Sequence, residues 1–112
     1  MKELLKTLCG LDGVSSWEDT VRDYLYAEAK PNADSLRVDT LGNLIVSKKG
    51  KKPTGNRVML CAHMDEVGLM VRRITDEGYL KFDAVGALDR RVLLGKPVRV
   101  GPKGCLLYTS PS

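Results

Sequence analysis

The sequence predicts an α/β or α+β fold in which two amphipathic helices are followed by short strands. Apolar residues recur at helical spacing before residue 30, and after it they alternate or form short unbroken runs. The composition, 43% hydrophobic and 29% charged, is that of a globular protein and excludes collagen, coiled-coil and disordered classes. A chain of 112 residues is one domain or a piece of a larger one. It is expected to bury about two-thirds of the surface that its unfolded form exposes.

The two helices are predicted from their faces and their ends. Over residues 2–9 one face carries Leu4, Leu5 and Leu8, and Gly10 is placed to cap the end. The second helix is predicted to begin at a capping box made by Ser15 and Glu18 and to stop before Pro31. Its apolar stripe consists of Trp17, Val21, Tyr24 and Leu25.

The strands are predicted from alternation and from turn residues. Residues 36–38 and 44–46 indicate a hairpin that turns at Gly42-Asn43. The unbroken apolar run 58–62, Val-Met-Leu-Cys-Ala, predicts the most buried strand, covered on both faces, with Cys61 as a small buried hydrophobe. Further strands are predicted over 68–74, 79–82 and 92–100. The last residues, 102–112, show no periodicity.

The net charge of +4 has a local origin, which argues against a nucleic-acid partner. The excess comes from Lys48, Lys49, Lys51 and Lys52. Without these four residues, 14 basic residues balance 14 acidic ones. We interpret the cluster as a solvated loop around Gly50 and not as a phosphate-binding face.

The cysteines and the N-terminus favour a cytoplasmic protein. Three cysteines without a C-x-x-C pair argue against a disulfide framework and a zinc ribbon. The charged N-terminus has no signal-peptide stretch. No apolar run approaches the ~20 residues that span a bilayer, so no membrane partner is expected.

The single histidine, His63, is the most promising site for chemistry. It directly follows the predicted buried strand, and ligands of open α/β sheets bind just past such strand ends. Because strand residues alternate faces, His63 and Asp65 should point to the same side. This pair suits a metal site, with a neutral imidazole as ligand and a carboxylate as second ligand or as the partner that orients the ring. Glu66 adds negative charge nearby.

Other interpretations of these residues stay open at this point. A lone His-x-Asp occurs by chance, and a lone histidine is often structural or solvated. Nucleophilic catalysis is disfavoured because Cys61 is predicted to be shut away on a buried strand. Ser15 and Ser16 are interpreted as helix caps.

The run from Val58 to Gly68, VMLCAHMDEVG, resembles the first metal-ligand motif of the glutamyl aminopeptidase/cellulase M family of dinuclear metallo-aminopeptidases. Further segments resemble the same family in order along residues 2 to about 100: 11–22, 39–45, 68–71, 76–80 and 92–95. This extent makes the likeness far more specific than the His-x-Asp pair alone. Ser16 stands where the family often has glycine, which affects a loop and not a ligand.

The resemblance implies a division of the chain. Residues 1–67 would be the N-terminal part of a mixed-sheet, zinc-aminopeptidase-like catalytic α/β domain. Residues 68–101 would begin an inserted β-barrel-like domain used for homo-oligomerisation. Residues 102–112 would lie outside the family match, and we interpret them as translated adaptor sequence, an artefact. The chain would then be a fragment of a longer parent.

The resemblance also implies a mechanism and its site. The parent would bind two divalent metal ions, zinc or cobalt, and would hydrolyse N-terminal residues from peptides by means of a metal-bound water. His63 would ligate one metal, and Asp65 would hold its imidazole in the right tautomer. The general-base glutamate and the other ligands have no counterpart in this chain. The 112-residue fragment alone is therefore predicted to be inactive.

Two alternatives compete with this reading. The chain could be a small β-rich interaction module in which His63 is structural. It could also belong to a related metal-dependent deacylase or carboxypeptidase with the same His-x-Asp. The β-rich segment after Gly68 favours the aminopeptidase.

Overall fold

A computed structural model describes residues 1–52, 55–101 and 103–109 of the chain. It forms two compact units, Met1–Glu66 and Val67–Ser112. The first unit contains two α-helices and one β-hairpin, and the second contains two further hairpins. The described residues thus form the mixture of helices followed by strands that the sequence predicts.

Both predicted helices are present in the first unit. The first, α1, spans Lys2–Gly10 and ends one residue later than predicted, because Leu11 and not Gly10 is the cap residue, with extended backbone. The second, α2, spans Asp19–Ala29. A 3-10 turn over Lys30–Asn32 follows, so the regular helix ends where the proline predicts.

The predicted capping box at the start of α2 is wrong. The helix begins at Asp19, and Ser15 hydrogen-bonds to Asp65 instead of capping it. A tight turn occupies the intervening residues, since Trp17 N donates to Val14 O at 2.7 Å. Ser16 adopts a left-handed φ of 72° in this turn, and its N–H donates to the Glu18 carboxylate. Trp17, predicted on the apolar stripe of the helix, therefore lies outside it and is 76% exposed.

The predicted hairpin of the first unit is confirmed. Strand β1, Ser35–Val38, pairs antiparallel with β2, Leu44–Ser47. The Asp39 carboxylate closes the turn by accepting hydrogen bonds from the backbone N–H groups of Leu41 and Asn43. Gly42 supplies the positive φ, 87°, that this turn requires.

The prediction that residues 58–62 form the most buried strand is wrong for this structure. The run has no regular structure, and Leu60 is 93% exposed. Cys61, predicted to be buried, is exposed as well. A strand needs a neighbour for its backbone hydrogen bonds and layers to cover its faces. Each described strand pairs within its own hairpin, so none of them pairs with this run.

The second unit begins with the hairpin predicted after Gly68. Strand β3, Gly68–Ile74, pairs antiparallel with β4, Leu80–Val85, and the register shifts between Val71 and Arg73. The turn is closed by a hydrogen bond from Thr75 N to Tyr79 O at 2.8 Å.

The last hairpin includes part of residues 102–112, which show no periodicity in the sequence. Strand β5, Pro97–Val100, pairs antiparallel with β6, Cys105–Tyr108. Gly101 and Gly104 both have positive φ and are joined by a backbone hydrogen bond of 3.0 Å, which makes the tight turn that periodicity alone does not reveal. Within the predicted tail, residues 102 and 110–112 lie outside the described residues.

The hydrophobic core of the described residues is far smaller than the length of the chain predicts. Val21, on α2, is the one apolar side chain among them that is buried, with 8% exposure. The reason is that each sheet has two strands, and such hairpins have too little covered surface to make a core of their own. Over the described residues, no helix has the length and apolar character needed to cross a membrane.

Candidate functional site

The candidate site forms where the loop after α1 meets the segment that contains the histidine. Glu66 N donates to Gly13 O at 2.8 Å, and Gly13 N donates to the Glu66 carboxylate at 3.2 Å. Val14 and Glu66 form a parallel β-bridge at the same place. These contacts fix the end of the His-Met-Asp-Glu segment, residues 63–66, against a loop 50 residues earlier in the chain.

Gly13 permits this close approach because it has no side chain. It is buried, and a Cβ at this position would lie 2.8 Å from Val21 Cγ2 and 3.4 Å from Met64 O. A carbon atom cannot stand that close to a branched, stiff valine without displacing it. The buried residue of α2 thus helps to position the site.

The Asp65 carboxylate is the centre of the site. Its Oδ2 accepts a hydrogen bond from Ser15 Oγ at 2.5 Å, and its Oδ1 lies 3.1 Å from His63 Nδ1. The Ser15 hydrogen bond, then a hydrogen bond from the backbone amide of Asp65 itself, and then the interaction with His63 hold the pKa of Asp65 below its usual range. The carboxylate is therefore ionised at neutral pH and accepts hydrogen bonds on both oxygens.

The surroundings of His63 determine which ring nitrogen carries the proton. Besides the Asp65 carboxylate, the backbone oxygen of Asp65 lies 2.9 Å from Nδ1. Both neighbours are acceptors, so a neutral ring must carry its proton on Nδ1 and donate it to them. The Nε2 lone pair then remains free on a side chain that is 85% exposed. This is the tautomer in which a histidine ligates a metal through Nε2.

The structure brings His63 and Asp65 together, although not by the predicted strand geometry. Both residues lie outside any strand, and their contact is made across two positions of irregular backbone. Glu66 was expected to add negative charge at the site. One of its carboxylate oxygens accepts a hydrogen bond from the Gly13 amide. Cys61 is exposed, so the steric reason for dismissing it as a nucleophile does not hold in this structure.

Ser15 is the residue that sequence reasoning missed. Its position before α2 matched a helix cap, whereas its hydroxyl binds a carboxylate 50 residues away. No local pattern signals such a contact, because it depends on how the loop and the later segment meet.

The site fits a metal as one protein ligand with its orienting carboxylate. Within the described ranges, no group of three or more His, Cys, Asp or Glu side chains is placed to hold a metal ion. A site with several protein ligands would therefore draw its other ligands from elsewhere.

Comparison with known proteins gives concordant results. The sequence model of the M42 glutamyl aminopeptidase family matches residues 42–109. A putative aminopeptidase of Acetivibrio thermocellus is 44% identical over 110 residues, which cover 96% of this chain and 32% of that protein.

Two solved structures are similar over almost the whole chain. The aminopeptidase of the archaeon Desulfurococcus kamchatkensis superposes with a TM-score of 0.83 at 36% identity, covering 93% of this chain and 29% of that one. The TET1 peptidase of Pyrococcus horikoshii, described as assembling into a tetrahedron or a large octahedral shell, has a TM-score of 0.80 at 39% identity. That match covers 98% of this chain and 33% of the peptidase, so the chain spans about a third of the length of the proteins it matches.

The family match establishes the relationship. It extends to residue 109, whereas the sequence alone placed the end of the likeness near Gly101, and the origin of the tail stays a prediction. It covers more than half of the chain, and the solved structures agree with it in fold. The chain belongs to the M42 glutamyl aminopeptidase family.

Proposed function

We propose that this chain is the N-terminal part of a metal-dependent aminopeptidase that removes N-terminal residues from peptides. The observation that carries the proposal is the Asp65–His63 pair, which leaves an exposed Nε2 lone pair in a chain of this family. The names of the similar proteins support the same activity.

In this proposal His63 ligates one of two divalent metal ions, zinc or cobalt, through Nε2. Asp65 accepts the Nδ1 proton, keeps the ring in the ligating tautomer and increases the electron density on Nε2. A metal ion held there by His63 would supply Lewis-acid chemistry: it would lower the pKa of its water ligand and polarise the substrate carbonyl. Imidazole is a suitable ligand for either metal.

The remaining ligands and the general base are proposed to come from the rest of a longer parent protein. The described residues supply one imidazole and no group of three metal-ligating side chains. The chain spans about a third of the length of its relatives. We therefore expect the 112-residue chain to be inactive by itself.

We further propose that residues 1–67 belong to the catalytic domain and that an inserted, barrel-like domain begins at residue 68. The separation into Met1–Glu66 and Val67–Ser112 supports this boundary, because the described residues of the second unit form two hairpins and no α-helix. We propose homo-oligomerisation of the parent through the second domain, supported by the assemblies described for the TET1 peptidase. A cytoplasmic location and the absence of nucleic-acid partners stay predictions from the sequence.

The test is to assay the full-length parent and the 112-residue chain for cobalt-stimulated release of N-terminal residues from short peptides. Release by the parent should vanish with His63→Ala. It should fall about 10- to 100-fold with Asp65→Asn, because the ring loses its charged partner. Asp76→Asn, an exposed acidic residue in the β3–β4 turn, is the matched control and should leave release unchanged.

Two results would contradict the proposal. A parent whose peptide release is indifferent to His63→Ala would remove the aminopeptidase assignment of this site. Metal-dependent turnover by the 112-residue chain alone would show that the missing ligands and base are not needed.

A further inference from the structure

We propose that Ser15 is a positioning residue for His63 and acts through the Asp65 carboxylate. The inference rests on the proposed function in so far as His63 ligates a metal. It adds a third member, from a loop far away in sequence, to the histidine–aspartate pair.

The two oxygens of the Asp65 carboxylate have different partners. Ser15 Oγ donates to Oδ2 at 2.5 Å, and His63 Nδ1 lies 3.1 Å from Oδ1. A carboxylate has one torsion that rotates both oxygens together. A hydrogen bond that holds Oδ2 therefore also determines where Oδ1 points, and the oxygen left over faces the imidazole.

The serine is itself held in place. Two residues before it, Gly13 exchanges two hydrogen bonds with Glu66, and Val14 forms the parallel bridge to the same residue. One residue after it, Ser16 N donates to the Glu18 carboxylate at 2.7 Å. The backbone on both sides of Ser15 is thus fixed, and its hydroxyl is aimed at Asp65 from a defined position.

The expected consequence is on the tautomer of His63. When Ser15 holds Asp65, a charged acceptor stands at Nδ1 and favours the Nδ1–H form. Without the hydroxyl, the carboxylate of this partly exposed side chain loses the partner that holds Oδ2 and stands at Nδ1 for less of the time. The weaker acceptor, the backbone oxygen of Asp65, stays at Nδ1. More of the ring then adopts the Nε2–H form, in which the nitrogen that would ligate a metal carries a proton.

The tautomer can be measured directly because the chain has one histidine. The ¹⁵N chemical shifts of the two ring nitrogens would be recorded for the 112-residue chain without metal, at a pH where titration of the same sample shows the ring to be neutral. Ser15→Ala should lower the ratio of Nδ1–H to Nε2–H at least about threefold. Ser15→Thr, which keeps the hydroxyl, should restore the ratio, and Ser16→Ala, the same truncation at the adjacent residue, should leave it unchanged.

A second readout uses the full-length parent and the metal alone. Zinc or cobalt binding should weaken about three- to tenfold with Ser15→Ala and recover with Ser15→Thr, while Ser16→Ala stays at the parent value. Protection of the Glu66 amide from hydrogen exchange reports whether the Gly13–Glu66 contact, and so the loop, is still folded in each variant.

The outcomes separate this inference from the proposed function. A tautomer ratio that is the same in Ser15→Ala and Ser16→Ala overturns the positioning role. Loss of Glu66 amide protection in both Ser15→Ala and Ser15→Thr also overturns it, because the serine would then be merely structural. A third outcome combines the two experiments. If Ser15→Ala changes the tautomer ratio of the 112-residue chain while His63→Ala leaves peptide release by the parent unchanged, the positioning role of Ser15 stands and the aminopeptidase function is removed.

Discussion

The β1–β2 hairpin and the apolar run 58–62 were both predicted as strands, and only the hairpin forms. The hairpin has its partner strand and its turn within 13 residues, and the Asp39 carboxylate closes that turn. The run 58–62 has the more apolar sequence, yet it pairs with no described strand, and Leu60 is almost fully exposed.

The difference separates two kinds of information in the sequence. Turn residues and alternation specify a hairpin whose partners are encoded side by side. A run that is apolar on both faces requires neighbours and covering layers supplied from a distance. Because the chain spans about a third of the length of its relatives, we expect the run to find those neighbours in the parent.

The largest expected effect comes from Leu60→Ala compared in two contexts. In the parent, where we expect Leu60 to be buried, the free energy of unfolding should fall by about 2–5 kcal/mol. In the 112-residue chain the same change should cost less than about 0.5 kcal/mol, because the side chain is 93% exposed. Urea denaturation measures both values.

Leu41→Ala is the matched control for that comparison. Leu41 lies in the hairpin turn and is also highly exposed, so its truncation should cost little in either protein. Equal effects of Leu60→Ala in the parent and in the chain would contradict the claim that the run is covered in the parent.

The next effect concerns Gly13, which packs against Val21 and hydrogen-bonds to Glu66 just after the run. Gly13→Ala should lower the free energy of unfolding by about 1–3 kcal/mol, because the added Cβ would overlap Val21 Cγ2. Gly10→Ala is the control: no atom lies within 4 Å of its Cβ, so in α1 it should stabilise slightly. Chemical denaturation of the unchanged chain and the two variants measures whether each substitution lowers or raises the free energy of unfolding. A Gly13→Ala variant as stable as the unchanged chain would show that the loop does not pack as described.

Removal of β6 should have a smaller and local effect. Deleting residues 103–112 removes four cross-strand residue pairs and the contacts of Thr109 with Leu93 and Lys96. We expect a loss of about 1 kcal/mol. Amides of β5 should lose protection from hydrogen exchange while those of β1 and β2 keep theirs.

An unchanged exchange rate in β5 would instead favour the adaptor interpretation of the tail, which stays a prediction. The DNA downstream of the Gly101 codon in the source genome tests that interpretation independently.

The smallest effect is a pH dependence of the β1–β2 turn. Hydrogen bonds from Asn43, first of its side chain and then of its backbone, lower the pKa of Asp39 below its ordinary value of 3.8. A lowered folded-state pKa means that this contribution is fully present above the ordinary value and is lost as pH falls through the folded-state pKa. Protection of the Leu41 and Asn43 amides should therefore decrease in acid, and Asp39→Asn should abolish that pH dependence.

Local elements were the predictable part of the fold. The helices follow from the spacing of their apolar residues and from Pro31, although the predicted caps are wrong. The turn at Gly42 and the β3–β4 hairpin follow from alternation and turn residues over a few positions. The β5–β6 hairpin escaped prediction because its signal is the pair Gly101 and Gly104, whose positive φ values make the turn, and not a hydrophobic period.

The site was predictable in its chemistry and not in its support. His63 and Asp65 stand two positions apart, so their contact could be inferred from sequence even though the expected strand does not form. Ser15 and Gly13 reach the same place only because two segments 50 residues apart pack together. No periodic pattern in the sequence signals such long-range contacts. The position of Ser15 before α2 instead matched a helix cap.

The chain fixes its histidine segment by itself but leaves the preceding apolar run uncovered. Residue-resolved hydrogen exchange over positions 58–66, in the 112-residue chain and in the parent, measures both properties at once. In the chain, amides 58–62 should exchange as fast as those of the lysine loop at 48–52, while the Glu66 amide, bonded to Gly13 O, is protected. In the parent, both should be protected. Two results would contradict these expectations for the 112-residue chain: slow exchange of amides 58–62, or a Glu66 amide that exchanges as fast as the amides of the lysine loop.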